Sequence, residues 1–448
     1  MRISRFPGML LFWSLLSMVS SAFQAIADDF DREPILYRDT APDNPVAKLD
    51  KALKTGSKKL AYDERRGYLE ALLSALDVPR DSQTLVFSKT SLQRDRITAD
   101  RPRALYYNDD VYIGYCDNGE VLEISVADPK LGTVFYTLDQ ERSETPVITR
   151  QTDSCLLCHG GSQTQAVPGH LFRSVFADAA GQPLLASGSY RTDQTSPFEE
   201  RFGGWYVTGE TGEQFHLGNK IFRKKQSHRD VDWSDGHNVT KLDTLIDTRH
   251  YLEPTSDVVA LMVLAHQSEM HNRITRANFQ TRQALHYEAA LNKGLGEPPD
   301  HRWPSTTARI KSACEPLLEY MLFSEETPLK DPIKPSSAFA KSFQAKGPFD
   351  SKGRSLRKLN LKTRLFEYPC SYLVYTDSFR QIPEEARRYI EARLTEILDG
   401  KDTSDKYKHL SEADRTAIRE ILKDTAAWPM AAEDPKPADQ KPAPKAAD

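Results

Sequence analysis

Residues 101–126 read RPRALYYNDDVYIGYCDNGEVLEISV, and this stretch decides the fold class. Ala104–Tyr107, Val111–Cys116 and Val121–Val126 are short runs rich in β-branched and aromatic residues. Asn108-Asp109-Asp110 and Asp117-Asn118-Gly119 separate them, and such residues suit tight turns. Runs this short, punctuated this way, predict antiparallel strands joined by hairpins. Thr84–Ser88 before and Val134–Leu138 after extend the pattern. Further out, Asn44–Lys54 and Tyr62–Leu76 carry helical periodicity, the second with Leu69, Leu72, Leu73 and Leu76 on one stripe. His170–Ala177 and Pro183–Tyr190 read as a hairpin around Asp178-Ala179-Ala180-Gly181.

From about residue 240 the period becomes helical. Ser256 is the expected cap of a long helix to about Lys293, with Asp257 in its first turn. Thr306–Met321 and Pro383–Leu398 follow, the latter stopped at Gly400. Ser411-Glu412-Ala413-Asp414 resembles a capping box for a last helix to about Thr425. The expected class is therefore α+β, with an antiparallel β region in the N-terminal half and a mainly helical C-terminal half. Residues 28–150 hold the first helices and sheet, 151–240 a ligand-bearing segment, 241–428 the helical region, and 429–448 a Pro/Ala/Lys/Asp tail expected to be disordered.

The ligand-bearing segment opens with Cys155-Leu156-Leu157-Cys158-His159, the C-x-x-C-H pattern of covalent c-type haem attachment. Each thiol can form a thioether to one vinyl group of the same porphyrin, and the histidine can serve as proximal iron ligand. A zinc site would need a second ligand pair, and only His266 and His271 stand out. Those two lie about 140° apart on a regular helix, too far round to clamp one ion. A thioredoxin-like pair would want a preceding strand and a helix, not a trailing His-Gly-Gly.

The first 27 residues supply a compartment. Arg2 and Arg5 form a positive n-region, Gly8–Ser20 an apolar run, and Ala25-Ile26-Ala27 a small-x-small cleavage site. Cleavage is expected after Ala27, giving a soluble periplasmic chain; an uncleaved N-terminal anchor is the competing reading. No later stretch approaches the roughly 20 apolar residues of a membrane span. Losing Arg2 and Arg5 takes the formal charge from −4 to −6, so there is no electrostatic case for nucleic acid or anionic lipid. Of the remaining Cys116, Cys314 and Cys370, the pair Cys314–Cys370 is the expected disulfide in an oxidising compartment, with three free buried thiols as the alternative.

The sixth iron position is the open question. No methionine lies between His159 and Met262, which argues against an ordinary small cytochrome c. Val259, Met262, Val263, His266, Met270, Ile274 and Ala277 share one helical stripe, and His266 and Met270, at i and i+4, are the leading distal candidates. The competing reading is that these are core residues, with His266 buried and hydrogen-bonded. His170 and His216 are further candidates. Arg150, Arg173, Arg191 and Arg201 cluster around the motif, and guanidinium forks suit haem propionates; Arg173 and Arg191 are preferred. Tyr190, Phe198, Phe202, Trp205 and Tyr206 could wall a haem or fill a core.

Several long motifs resemble those of an uncharacterised family of exported bacterial mono-haem proteins, described as cytochrome c domain-containing. They are CLLCHGGS at 155–162, VPGHLFRSVF at 167–176, GSYRTDQTSPFEERFGGWYVTG at 188–209, SDVVALMVLAHQSEMHNRITRAN at 256–278 and TRLFEYPCSYLVYTDSF at 363–379, with RPRALYYNDDVYIGY at 101–115. The resemblance implies one haem, export and a shared architecture, but no substrate. Members of that family carry Thr-Gly-x-His-Gly where this chain has Thr208-Gly209-Glu210-Thr211-Gly212. If that histidine closes the iron elsewhere, Thr211 leaves it open here or requires another ligand.

The expected function is a periplasmic mono-haem c-type cytochrome engaged in electron transfer with a redox partner protein. The alternative is a haem enzyme of peroxidase or oxygenase type, acting on a small-molecule oxidant at an open sixth position. There His170, His216 or His266 would serve in acid–base roles and Arg173 or Arg191 would steady a leaving oxygen. A haem-based sensor is a third reading.

Overall fold

The Asp117-Asn118-Gly119 turn is built as its residues suggest: Asn118 takes φ +55°, and the Gly119 N–H donates to the Cys116 carbonyl. In the computed structural model, which describes residues 30–223 and 228–425, this turn joins two strands of a seven-stranded antiparallel sheet. The leader expected over 1–27 and the tail expected over 429–448 lie outside the described residues. The strands are β1 (Thr84–Val86), β2 (Arg103–Tyr107), β3 (Val111–Tyr115), β4 (Val121–Asp128), β5 (Gly132–Asp139) and β6 (Ile148–Gln151), which follow one another across the sheet. A two-residue strand, Trp205–Tyr206, here called β9, pairs with the outer side of β1. A separate hairpin pairs β7 (Arg173–Val175) with β8 (Ser189–Arg191). It overlaps the segments expected to form one, with β8 running one residue past the expected end at Tyr190.

Alternation along the strands gives the sheet two working faces. Tyr106, Ile113, Ile124 and Tyr136 point to one core, shared with α1 (Pro45–Lys54) and α2 (Leu69–Ala75). Tyr107, Tyr112, Ser125 and Phe135 line the other face. There the long helix α4 (Val258–Leu295) crosses, with the Tyr107 hydroxyl donating to the Ala260 carbonyl at 2.6 Å. α2 starts at the first leucine of its stripe, seven residues later than the Tyr62 start expected. The Asp63 carboxylate accepts the Arg65 and Arg66 amides, and the chain turns back at Gly67 instead of winding on.

The cap of α4 is Asp257, not Ser256. One Asp257 oxygen accepts the Val259 N–H at 2.8 Å, and the other takes the amides of Ser336 and Ser337. Ser256 instead donates to the Tyr206 carbonyl and accepts the Leu85 amide, fastening the helix start to β9 and β1. Every residue from Val258 to Asn272 is buried, so the first turns of α4 are enclosed on all sides. Around it stand α5 (Pro304–Met321), α6 (Phe339–Ala345), α7 (Asp377–Arg380), α8 (Glu384–Leu398) and α9 (Glu412–Asp424). The α9 capping box forms as expected, Ser411 and Asp414 each bonding the other's backbone amide.

Boundaries near 150 and 240 do not separate independent cores. One apolar cluster joins Tyr107 and Tyr112 of the sheet with Trp205 and with α4, α5 and α8. Cys314 and Cys370 are not bonded: both are free thiols at the centre of this cluster, each pushed up to about 12 by burial. Packed in apolar surroundings, they behave as small hydrophobes and correct the expected disulfide. Among the described residues no helix is long and apolar enough to cross a membrane.

Candidate haem-attachment site

The motif begins four residues after β6 ends. Leu156–His159 forms a single helical turn, α3, with Cys155 already helical and accepting the amides of Cys158 and His159. Residues three apart on such a turn share a face, so Cys155 and Cys158 belong to the same side of it. Leu156 anchors the turn in the sheet–α1–α2 core, while Leu157 is 86 % exposed. Cys155 is half-buried and Cys158 exposed, and both are free. Burial holds the Cys155 thiol up at about 11.

His159 lies against the Phe135 ring, centroids 5.0 Å apart, and its Nδ1 is 2.9 Å from the Gly169 carbonyl oxygen. A carbonyl can only accept, so Nδ1 carries the proton and the Nε2 lone pair is left over. Burial pulls the imidazole below its ordinary value, keeping it neutral. The loop that returns to Gly169 is tied back to the helix: Gly169 N–H donates to the His159 carbonyl at 2.8 Å, and Thr164 Oγ1 bonds the carbonyls of His159 and Val167.

Residues of α4 hold the same loop, and the sequence singled none of them out. Asn272 bonds both backbone groups of His170, its Oδ1 accepting the N–H and its Nδ2 donating to the carbonyl, each at 2.8 Å. Gln165 donates to Glu269 Oε1 at 2.9 Å and accepts from Arg276 at 2.8 Å. Glu269, Asn272 and Arg276 are spaced i, i+3, i+7, one face of the helix. A side chain at position 169 would run into the Asn272 amide oxygen, which is why a glycine stands there. The only sequence signal for these contacts was the presence of an asparagine and charges on an otherwise apolar helix.

The four arginines separate into two kinds. Arg150 is spent on the Tyr37 and Thr40 carbonyls, and buried Arg201 on those of Gln194 and Ser196. Arg173 and Arg191 remain, directly opposite one another in the β7–β8 pair. Arg173 donates to Ser189 Oγ; Arg191, 34 % exposed, reaches Glu269 only at 3.9 Å. That Glu269 Oε2 atom is buried and accepts no hydrogen bond. Four of the five aromatic residues go to the core: Phe172 stacks on Trp205 at 4.5 Å, with Phe198 and Phe202 packed edge-on nearby and Tyr206 buried, while Tyr190 is half-buried beside a small separate cluster.

His266 and Met270 are not brought to the motif. His266 Nδ1 donates to Gln194 Oε1 at 2.6 Å, and Nε2 accepts from Ser371 Oγ at 2.8 Å. Its ring lies between Tyr320 and Phe323, so both nitrogens are engaged deep in the helical core. Met270 is fully buried in the same cluster. This corrects both as distal ligands: enclosure of α4 on all sides makes its apolar stripe core packing. His170 is buried with its nitrogens 3.2 Å from the hydroxyls of Ser125 and Thr133, and His216 Nδ1 accepts the Gly218 amide. Thr211 closes a local turn onto the Gln214 carbonyl.

Among the described residues no group of three or more His, Cys, Asp or Glu side chains is placed to hold a metal ion. A tetrahedral zinc cage on Cys155 and Cys158 would need such a group, whereas a haem iron brings four nitrogens and asks the chain for one. The donor set fits the latter: two free thiols on one turn and a neutral imidazole with its second nitrogen open. A separate cleft of about 480 Å³, lined by Phe323, Glu326, Arg364, Lys406, Lys408 and His409, has its cations already paired, with Asp414, Glu319 and Asp405. No family model, no curated protein and no solved structure matches this chain.

Proposed function

We propose that the protein is an exported mono-haem c-type cytochrome, with haem attached through Cys155 and Cys158 and His159 as proximal ligand, that exchanges electrons with a redox partner protein in the periplasm. The observation that carries this reading is the His159 ring, with Nδ1–H held by the Gly169 carbonyl and Nε2 unclaimed, beside two unpaired thiols. Haem bound there would supply a one-electron couple whose potential follows ligand, burial and nearby charge. The chain's own part is to orient the imidazole, to keep it neutral, and to offer Arg173 and Arg191 to the propionates. The leader over 1–27 and the family resemblance support export and a single haem.

A second reading is favoured by one observation: His266 and Met270, the expected distal ligands, are enclosed elsewhere. The haem enzyme reading, with an open or displaceable sixth position and a small-molecule oxidant, draws on that. Absorption spectra of the ferric and ferrous protein with and without carbon monoxide distinguish the two. A low-spin spectrum in both states, unmoved by carbon monoxide in the ferrous state, supports the carrier; a high-spin ferric spectrum together with a rapid carbon monoxide shift of the ferrous protein supports the enzyme.

A further inference from the structure

We propose that Asn272 is a positioning residue for His159, acting through a single peptide group; this rests on the haem reading above. The peptide linking Gly169 to His170 is bonded on both sides. Its carbonyl, the Gly169 oxygen, accepts from His159 Nδ1 at 2.9 Å, and its N–H, the His170 amide, donates to Asn272 Oδ1 at 2.8 Å. Asn272, this peptide and the imidazole therefore form one hydrogen-bonded chain. Acceptance by Asn272 polarises the peptide and makes its carbonyl the stronger acceptor for the histidine proton. A stronger bond at Nδ1 raises the electron density at Nε2, the atom that would bind a haem iron.

The rest of the loop depends on the same anchor. Gln165 and Ala166 hold left-handed conformations at φ +63° and +58°, which non-glycine residues adopt only when their surroundings impose it. The Gln165 side chain is fixed by Glu269 and Arg276, one turn to either side of Asn272. The second Asn272 bond, to the His170 carbonyl of the following peptide, holds His170 from its other side. The helix carrying these groups is buried from Val258 to Asn272, a rigid base for a loop whose only regular element is the 3-10 turn Ser162–Thr164.

The test compares full-length Asn272→Ala with wild type by spectroelectrochemical midpoint, by hydrogen exchange of the His170 amide, and by the nitrogen-15 signature of the His159 tautomer. Asn272→Ala is expected to raise the midpoint, because a less electron-rich imidazole favours ferrous iron, and to speed exchange of the His170 amide about ten-fold or more. Asn278→Ala is the control: that side chain bonds only the Pro129 carbonyl, two turns along the helix, and should leave the midpoint alone. Asn272→Asp keeps an oxygen acceptor for the His170 amide and should retain its protection, which covers an alanine variant too unstable to purify. An unchanged midpoint in Asn272→Ala, or a His170 amide that stays protected, overturns the proposal. A chain that carries no covalent haem at all refutes the reading above instead. The tautomer then decides the positioning alone: loss of the Nδ1–H form in Asn272→Ala supports it, and retention overturns it.

Discussion

Arg173 and Arg191 stand directly opposite each other in the antiparallel β7–β8 pair, two guanidiniums on one face of a two-stranded ribbon. Like charges so placed repel by about 0.2–1 kcal/mol unless an anion lies between them. The effect of removing one therefore reverses sign with the state of the protein. Arg173→Ala should leave unchanged or raise the Tm of the haem-free Cys155→Ala/Cys158→Ala protein. In the haem-bearing protein it should lower the Tm, because a propionate partner is lost. Thermal melts of the two pairs check this, and a drop of the same size in both backgrounds would remove Arg173 from the propionate assignment.

His266→Ala should leave the ferric and ferrous spectra of the haem protein unchanged while costing about 3 kcal/mol or more in stability. The cost arises because Gln194 and Ser371 lose a buried partner and the ring leaves a cavity between Tyr320 and Phe323. Denaturant unfolding reads the stability. A change of spin state in the variant would put His266 back on the iron.

Acidification should destabilise the fold. Burial holds His216 and His266 at about 3 and His271 at about 4, and also pulls down His159, His170 and His409. Below the ordinary value near 6.5 the unfolded chain takes up protons that the folded chain refuses. Each such group then subtracts up to about 1.4 kcal/mol per pH unit until its folded value is reached. Asp110 and Glu326, raised by burial to about 7, work in the opposite sense, but the histidines outnumber them. The Tm should fall steadily from pH 6.5 toward 4, and a Tm that rises over this range would contradict the buried, neutral histidines.

With Cys155 and Cys158 occupied by haem, three thiols remain: Cys116, Cys314 and Cys370, all buried and free. Thiol titration of the denatured, non-reduced haem protein should count three. A count of one would restore the Cys314–Cys370 bond.

The central sheet was readable because its strands are short β-branched and aromatic runs and its turns carry Asn, Asp and Gly at the positions that need them. The α9 capping box was readable for the same reason, since local chemistry decides local structure there. β9 was not, because two residues after a Gly-Gly pair carry no period; the Ser256 bonds to β1 and β9, and the Gly204 carbonyl accepting the Phe87 and Ser88 amides, show why they dock. The His266–Met270 stripe misled because a stripe selects a ligand face only on a half-exposed helix, and the first turns of α4 are enclosed. Arg173 and Arg191 were preferred along the chain, but only the non-local structure, in which Arg150 and Arg201 are spent on backbone carbonyls, sets them apart from the other two. Asn272 was invisible for that reason too, its partner lying a hundred residues earlier.

Covalent haem on Cys155 and Cys158 is the claim on which the functional account stands. The most direct measurement is haem staining of the exported protein on a denaturing gel, wild type beside Cys155→Ala/Cys158→Ala. A stained wild-type band and an unstained variant band are the predicted result; stain that persists in the double variant, or is absent from both, contradicts the account.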